Sequence, residues 1–99
     1  MNEFITTLAK KIPDVSVRDL VFCSALNPAL DGHGDGAEIL KHFLLRKPVK
    51  HVLEIGTCNG LATAFMAQYA EKITTIDILG NPLTRRIWNA MGVSDKITS

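Results

Sequence analysis

The sequence has little of several features that mark specialised classes of protein. It contains 2 cysteines, 1 tryptophan and 1 tyrosine in 99 residues, and its formal net charge is +1. The scattered Lys and Arg residues leave no electrostatic footprint for nucleic acid or an anionic membrane. No apolar run reaches membrane-spanning length, and the N-terminus lacks the basic start and apolar core of a signal peptide. We therefore expect a cytoplasmic protein without nucleic-acid or membrane partners, in which Cys23 and Cys58 are reduced thiols rather than a disulfide.

Recognisable metal-ligand spacing is also missing. The loop at 31–36, Asp-Gly-His-Gly-Asp-Gly, imitates the opening of a calcium loop, but the twelfth position is His42 rather than a bidentate acid. No pair of Cys or His residues has zinc-ligand spacing. We predict no metal, although the residues leave open a transition-metal site that uses His33, Asp35 and His42. Otherwise, Asp35 is expected to cap the following helix together with Glu38.

What the chain does have is an ordinary globular composition with clear periodicity. Hydrophobic residues make up 46% and charged residues 21% of the chain, as expected for one small domain. Apolar residues recur at helical or strand spacing along most of its length. The predicted elements are helices at 2–12, 16–27, 36–46, 61–70 and 81–92, strands at 51–55 and 73–77, and a lead-in to a third strand at 93–98.

One stretch organises the rest of the chain. The apolar run at 52–55 predicts a short strand that enters a turn bounded by Gly56 and Gly60, and a helical pattern begins directly afterwards. Such a unit directs backbone N–H groups and the positive end of a helix dipole at an anionic or polar ligand group. Glu54 precedes the first glycine by two residues, and Asp77 ends the next β-rich run, which suits contact with ribose hydroxyls. The carboxyl ends of these two strands are the predicted ligand site.

These residues also carry a family resemblance. The segment Val52-Leu53-Glu54-Ile55-Gly56-Thr57-Cys58-Asn59-Gly60 resembles the first motif of class I S-adenosylmethionine-dependent methyltransferases, an acidic residue followed by Gly-x-x-x-Gly. Within that superfamily it is most similar to the O-methyltransferase-like branch, whose motif often reads Leu-Glu-Ile-Gly-Thr. The resemblance covers positions 36 to 98. It implies an α/β, Rossmann-like class I methyltransferase fold, truncated after the second strand, with an N-terminal helical extension.

The resemblance implies a cofactor, S-adenosyl-L-methionine, and residues that bind it. The glycines let the methionine moiety approach the backbone, and amides near Asn59 and Gly60 face its carboxylate. Glu54 meets the ammonium or sulfonium side, and Asp77 accepts both ribose hydroxyls. Ala62 stands where related O-methyltransferases often carry a serine, so one polar contact to the carboxylate is lost or shifted. The implied cofactor-binding residues are Glu54, Gly56, Thr57, Cys58, Asn59, Gly60, Asp77 and Ile78.

Other glycine turns bind other ligands, and the residues discriminate among them. A P-loop needs Gly-Lys-Ser/Thr after its second glycine, whereas Leu61-Ala62-Thr63 follows Gly60, which excludes that class. A nicotinamide-dinucleotide site needs Gly-x-Gly-x-x-Gly, and Cys58 occupies the middle glycine position. A purely structural turn explains the glycines but not the two acids. These last two alternatives stay open, whereas a nucleophilic Cys58 lacks a cationic neighbour that the sequence can place.

The resulting functional hypothesis concerns part of an enzyme. Residues 1–47 are predicted to form the helical extension, and residues 48–99 the N-terminal half of a Rossmann-like domain that binds S-adenosylmethionine. The intact protein is expected to methylate an oxygen atom of a small molecule, whereas this chain alone is expected to be inactive, because the catalytic residues implied by the family lie beyond Ser99. The alternative is a non-catalytic remnant that binds a partner or forms a homo-oligomer through its N-terminal helices or open sheet edge. A fragment of a nicotinamide-dependent oxidoreductase is a third hypothesis.

Overall fold

The structure is a computed structural model that describes residues 3–22 and 36–99, with side chains in the second range described from residue 39 onward. The candidate ligands His33 and Asp35, the Asp35–Glu38 capping box and Cys23 lie outside this description. Among the helices in these ranges, none is long and apolar enough to cross a membrane. The elements are α1 (Glu3–Lys11), α2 (Val17–Val21), α3 (Gly36–Leu45), β1 (Val49–Ile55), α4 (Leu61–Ala67), β2 (Ala70–Ile76), α5 (Leu83–Ala90), a 3-10 turn (Ser94–Lys96) and β3 (Ile97–Thr98).

The three strands form one parallel sheet in the order β1-β2-β3. β1 pairs with β2 along its length, with Val49 opposite Ala70 and Ile55 opposite Ile76, and β2 also pairs with the two residues of β3. Parallel neighbours need crossover connections, and these contain α4 and α5. The predicted α/β, Rossmann-like arrangement of two parallel strands joined by a helix is therefore confirmed. β2 begins earlier than expected, at Ala70, and the predicted lead-in to a third strand is observed as β3.

One hydrophobic core connects the helices with one face of the sheet. α1 contacts α5, and α3 contacts α4, so helices from both ends of the described chain share this core. The domain boundary at residue 47 stays a prediction. The largest aliphatic side chains with at most 1% exposure come from both helices and sheet: Ile5, Leu8, Leu20, Leu61, Ile73 and Ile87.

The two faces of the sheet are covered unequally. Alternate residues of a strand point to opposite faces, and Ile73 and Thr75 are buried on the face that carries α4. On the other face, Leu53, Ile55 and Ile76 are 64%, 81% and 53% exposed. We call these three side chains the open face.

Capping residues account for several helix ends. The Ser16 hydroxyl accepts a hydrogen bond from the Asp19 amide at 3.1 Å, which caps α2. The Asn81 side-chain oxygen accepts from the Leu83 amide at 2.9 Å at the start of α5. Gly92 follows α5 with a φ of +69°, the left-handed conformation expected of a residue that ends a helix.

Candidate functional site

The turn between β1 and α4 has an unusual backbone that glycine makes possible. Gly56 and Gly60 have φ values of +94° and +84°, and Cys58 between them has a φ of +54°. The Gly56 amide donates to the Ile76 carbonyl at 2.7 Å, and the Gly60 amide donates to the Thr57 carbonyl at 2.9 Å. The Gly60 amide thus closes the turn itself, and the expectation that amides near Asn59 and Gly60 face a ligand carboxylate stays a prediction.

Asp77 follows the last residue of β2, and its side chain is hydrogen-bonded to this turn. Its Oδ2 accepts from the Cys58 amide at 2.7 Å, and its Oδ1 accepts from the Leu79 amide at 3.1 Å. These hydrogen bonds, the one from Cys58 above all, lower the pKa of the Asp77 carboxyl below its ordinary value of 3.8. The backbone amides of Ile78 and Thr57 lower the pKa of Asp77 in the same direction, with smaller effects.

Glu54 of β1 contacts a series of hydrogen-bonded threonine hydroxyls. Its Oε1 accepts from the hydroxyls of Thr63 on α4 and of Thr75 on β2, the latter at 2.7 Å. The Thr57 hydroxyl lies 2.6 Å from that of Thr75. Thr57, Thr63 and Thr75 are all buried. One carboxylate therefore connects β1, β2, α4 and the turn.

Asn59 has a role that the sequence did not indicate. It is buried, and its side-chain nitrogen donates to the Leu20 carbonyl of α2 at 2.6 Å. Its side-chain oxygen accepts from the Leu61 amide at 3.2 Å, at the start of α4. Asn59 thus fastens the turn to an N-terminal helix. Trp88 of α5 contacts the same region, since its indole N–H donates to the Gly60 carbonyl at 3.0 Å.

A cavity of about 390 Å³ opens at the carboxyl ends of β1 and β2. Of the predicted site residues, the structure brings Thr57, Cys58, Asp77 and Ile78 together in its wall. Glu54, Gly56, Asn59 and Gly60 support the turn behind it. The apolar side chain of Ile78 is 95% exposed, which leaves it accessible to a ligand.

Another part of the cavity wall was not predicted from the sequence. That part includes Thr84, Arg85 and Trp88 of α5 and Ser99 after β3. Ligands bind outside the carboxyl ends of parallel strands, and this rule applies equally to the connection from β2 to α5. The position of these residues after the predicted second strand was therefore a usable signal in the sequence.

The prediction of reduced thiols is wrong for Cys58, which is disulfide-bonded. The only other cysteine in the sequence, Cys23, lies outside the described residues. Disulfides are rare in reducing compartments. The predicted cytoplasmic location therefore loses one of its arguments and stays a prediction.

Metal binding has no support among the described side chains. Across residues 3–22 and 39–99, no three His, Cys, Asp or Glu side chains form a group that could hold a metal ion. The described members of the site are hydroxyls, an amide side chain, one guanidinium and carboxylates. Such groups suit an organic ligand with hydroxyl and charged substituents.

Comparison with known proteins finds a likeness among solved structures. No protein-family model matches the chain, and no curated protein matches it either. Among solved structures, the chain is similar to one described as "Crystal structure of a putative O-methyltransferase from Klebsiella pneumoniae", with 20% sequence identity and a TM-score of 0.62. The likeness covers 99% of this chain and 42% of that chain. It supports a methyltransferase-like fold, and this chain spans less than half of the protein that it resembles.

Proposed function

We propose that this chain binds S-adenosylmethionine, as the cofactor-binding part of a methyltransferase that acts on an oxygen atom of a small molecule. The observation that carries the proposal is a hydrogen bond beside one cavity. It joins the Cys58 amide, in the glycine turn after β1, to the Asp77 carboxylate, directly after β2. Two elements that the family resemblance assigns to one cofactor are thus parts of one site. When bound, the cofactor would supply an electrophilic methyl group.

The chemistry of the donor set fits this ligand. Asp77 is an exposed carboxylate with a lowered pKa, so at neutral pH it is an anionic acceptor for a ribose diol. Ile78 and Leu79 are exposed apolar side chains in the same wall, where a planar base can bury their surface. A Cβ placed on Gly56 would have no protein atom within 4 Å, which leaves open space beside the turn for the methionine moiety.

Binding can be measured directly. Because Trp88 lies in the cavity wall and is the only tryptophan of the sequence, its fluorescence should report ligand occupancy alongside isothermal calorimetry. We expect a dissociation constant between about 100 μM and 1 mM, which corresponds to roughly −5.5 to −4.1 kcal/mol. Asp77→Asn should weaken binding about tenfold, because one charge-assisted hydrogen bond is worth about 1.5–3 kcal/mol.

Matched controls separate ligand contact from backbone effects. Asp95→Asn removes an exposed carboxylate that is not part of the cavity wall, and it should leave affinity unchanged. Gly56→Ala and Gly92→Ala both place a side chain at a positive φ in open space, yet only the first should weaken binding. The proposal fails if the wild-type chain binds no S-adenosylmethionine, or if Asp77→Asn and Gly56→Ala bind it as the wild type does.

A second candidate function is supported by a different observation. The open face and the unpaired side of β1 are surfaces through which a non-catalytic module can bind a partner or a second copy of itself. Leu53 and Ile55 are more than half exposed, and β1 has a strand partner on one side only within the described chain. Sedimentation equilibrium tests this candidate independently of cofactor binding.

A further inference from the structure

The side chains of α3 divide between two sides of the helix. Leu40 and Leu44 pack against the hydrophobic core. The other side carries exposed residues at the helical spacing i, i+3, i+4, i+7, which are Ile39, His42, Phe43 and Arg46. Leu45 is also exposed. The helix therefore presents three large apolar side chains to solvent in addition to those that it buries.

Basic residues surround these exposed apolar side chains. Four cations fall within ten residues at α3 and the start of β1: Lys41, Arg46, Lys47 and Lys50. The sequence has no Asp or Glu between residues 39 and 53. Within residues 3–22 and 39–99, the salt bridge that forms joins Arg86 to Asp14, and it uses none of these four cations. Charges that look scattered along the whole sequence are thus concentrated at one place, without compensating acids.

The same side of α3 contains a shallow recess of about 330 Å³. Its lining combines two cations and an imidazole with one aliphatic side chain: Lys41, His42, Leu45 and Arg46. Cationic N–H donors bind phosphate oxygens by charge-assisted hydrogen bonds, and the neighbouring apolar surface favours a ligand that is itself partly apolar. The recess therefore suits a phosphate group that has hydrocarbon beside it.

We propose that this surface binds a membrane that contains anionic phospholipids. We call it the α3 face, and it consists of Ile39, Lys41, His42, Phe43, Leu45 and Arg46. The lipid phosphate occupies the recess, and Phe43 and Leu45 enter the boundary between headgroups and acyl chains, as in helices that lie on a membrane surface. Long cationic side chains can keep their charges at the level of the headgroups while their stems cover hydrocarbon.

Other occupants match the α3 face less well. A second copy of the chain would place cations against cations, which is unfavourable. A nucleic acid would satisfy the cations, but its charged backbone would lie against Ile39 and Leu45, which offer it no hydrogen bond. The proposal revises the expectation that the chain has no membrane partner, because that expectation treated the basic residues as dispersed. It does not depend on the proposed function, since no residue of the α3 face belongs to the wall of the cofactor cavity.

Cosedimentation with lipid vesicles tests the proposal. We expect the chain to bind vesicles that contain phosphatidylglycerol and phosphatidylcholine in about equal amounts, and to bind pure phosphatidylcholine at least about tenfold more weakly. Added salt should weaken the binding, because it screens the attraction between the cations and the lipid surface.

Paired variants locate the binding surface. Lys41→Gln with Arg46→Gln should weaken binding about twentyfold, since each cation near an anionic membrane contributes about fivefold. The matched control is Lys10→Gln with Lys11→Gln, which removes the same charge from exposed positions in the last turn of α1 and should change binding less than the α3 variant does. Phe43→Gln with Leu45→Gln should weaken binding about tenfold, whereas Leu53→Thr with Ile55→Thr, which alters the open face, should leave it unchanged.

The outcomes decide between the occupants. Equal binding to both kinds of vesicle, no binding to either, or equal weakening by the α1 and α3 charge variants would overturn the proposal. Displacement of the chain from vesicles by inorganic phosphate at constant ionic strength would indicate a site for a free anion, and binding to polyglutamate without binding to vesicles would indicate an acidic protein partner. Either result overturns the membrane assignment. If Phe43→Gln with Leu45→Gln does not fold by circular dichroism, the two charge variants still decide the matter. An unchanged affinity for S-adenosylmethionine in the α3 charge variant keeps this test separate from that of the proposed function.

Discussion

Gly60 is the residue whose conformation and surroundings both exclude a side chain. Its φ is +84°, and a Cβ built on it would lie 2.7 Å from the Trp88 indole nitrogen and 2.9 Å from the Thr84 methyl group. That indole nitrogen is also the donor to the Gly60 carbonyl. A side chain at Gly60 would therefore displace Trp88 and break a buried hydrogen bond.

We expect Gly60→Ala to lower the free energy of unfolding by about 2–5 kcal/mol, the sum of left-handed backbone strain and overpacking. Gly56→Ala is the matched control. It carries the same backbone strain without a neighbour within 4 Å, so it should lose only about 1–2 kcal/mol. Urea denaturation followed by Trp88 fluorescence measures both. Similar losses in the two variants would show that contact between α5 and the turn is not tight.

In the turn, the backbone conformation of the glycines was easier to predict than the hydrogen-bonding role of each side chain. The glycine spacing indicated the positive φ values of Gly56 and Gly60, because backbone conformation follows directly from residue type. The roles of Glu54 and Asn59 could not be predicted, since they depend on partners 21 and 39 positions away along the chain. Nothing local to Asn59 indicates that its side chain reaches the Leu20 carbonyl of α2.

At the scale of elements, the hydrogen bond from the Cys58 amide to the Asp77 carboxylate joins the turn after β1 to the end of β2. The amides of Cys58 and Leu79 stabilise the charged form of Asp77. The folded state therefore has the lower pKa, and the resulting stabilisation is fully present above the unfolded value near 3.8. It is lost as the pH falls through the folded value.

We expect the amide proton shifts of Cys58 and Leu79 to titrate together, with a shared midpoint below pH 3.8. A series of two-dimensional NMR spectra across acidic pH provides the measurement. Asp77→Asn should abolish both titrations, whereas Asp95→Asn should leave them intact. Separate midpoints, or a midpoint at or above 3.8, would contradict the proposed link between the two strand ends.

Elements with strong periodicity were the ones that the sequence predicted well. α1, α3, α4, α5 and the parallel pairing of β1 with β2 follow from apolar spacing and capping residues. The start of β2 was missed because residues 70–72, Ala-Glu-Lys, have low strand propensity. Pairing with β1, where Val49 lies opposite Ala70 and His51 opposite Lys72, overrides that local preference.

For the whole molecule, the determining feature is a parallel sheet that the described helices cover on one face. Parallel sheets are almost always buried on both faces, and the sequence pattern of β1 reflects this, since Leu53 and Ile55 are apolar at positions that the described helices leave exposed. The open face thus has the composition of an interior surface.

We expect the double variant Leu53→Thr with Ile55→Thr to retain its free energy of unfolding within about 0.5 kcal/mol, because exposed side chains contribute little burial. The same variant should bind less of the dye 8-anilinonaphthalene-1-sulfonate and self-associate less in sedimentation experiments, because its open face is less apolar. Ile73→Thr is the matched control on the covered face, where Ile73 is 1% exposed, and it should lose at least about 2 kcal/mol. A comparable loss of stability in the double variant would show that Leu53 and Ile55 are buried in solution, and unchanged dye binding would place the accessible apolar surface elsewhere.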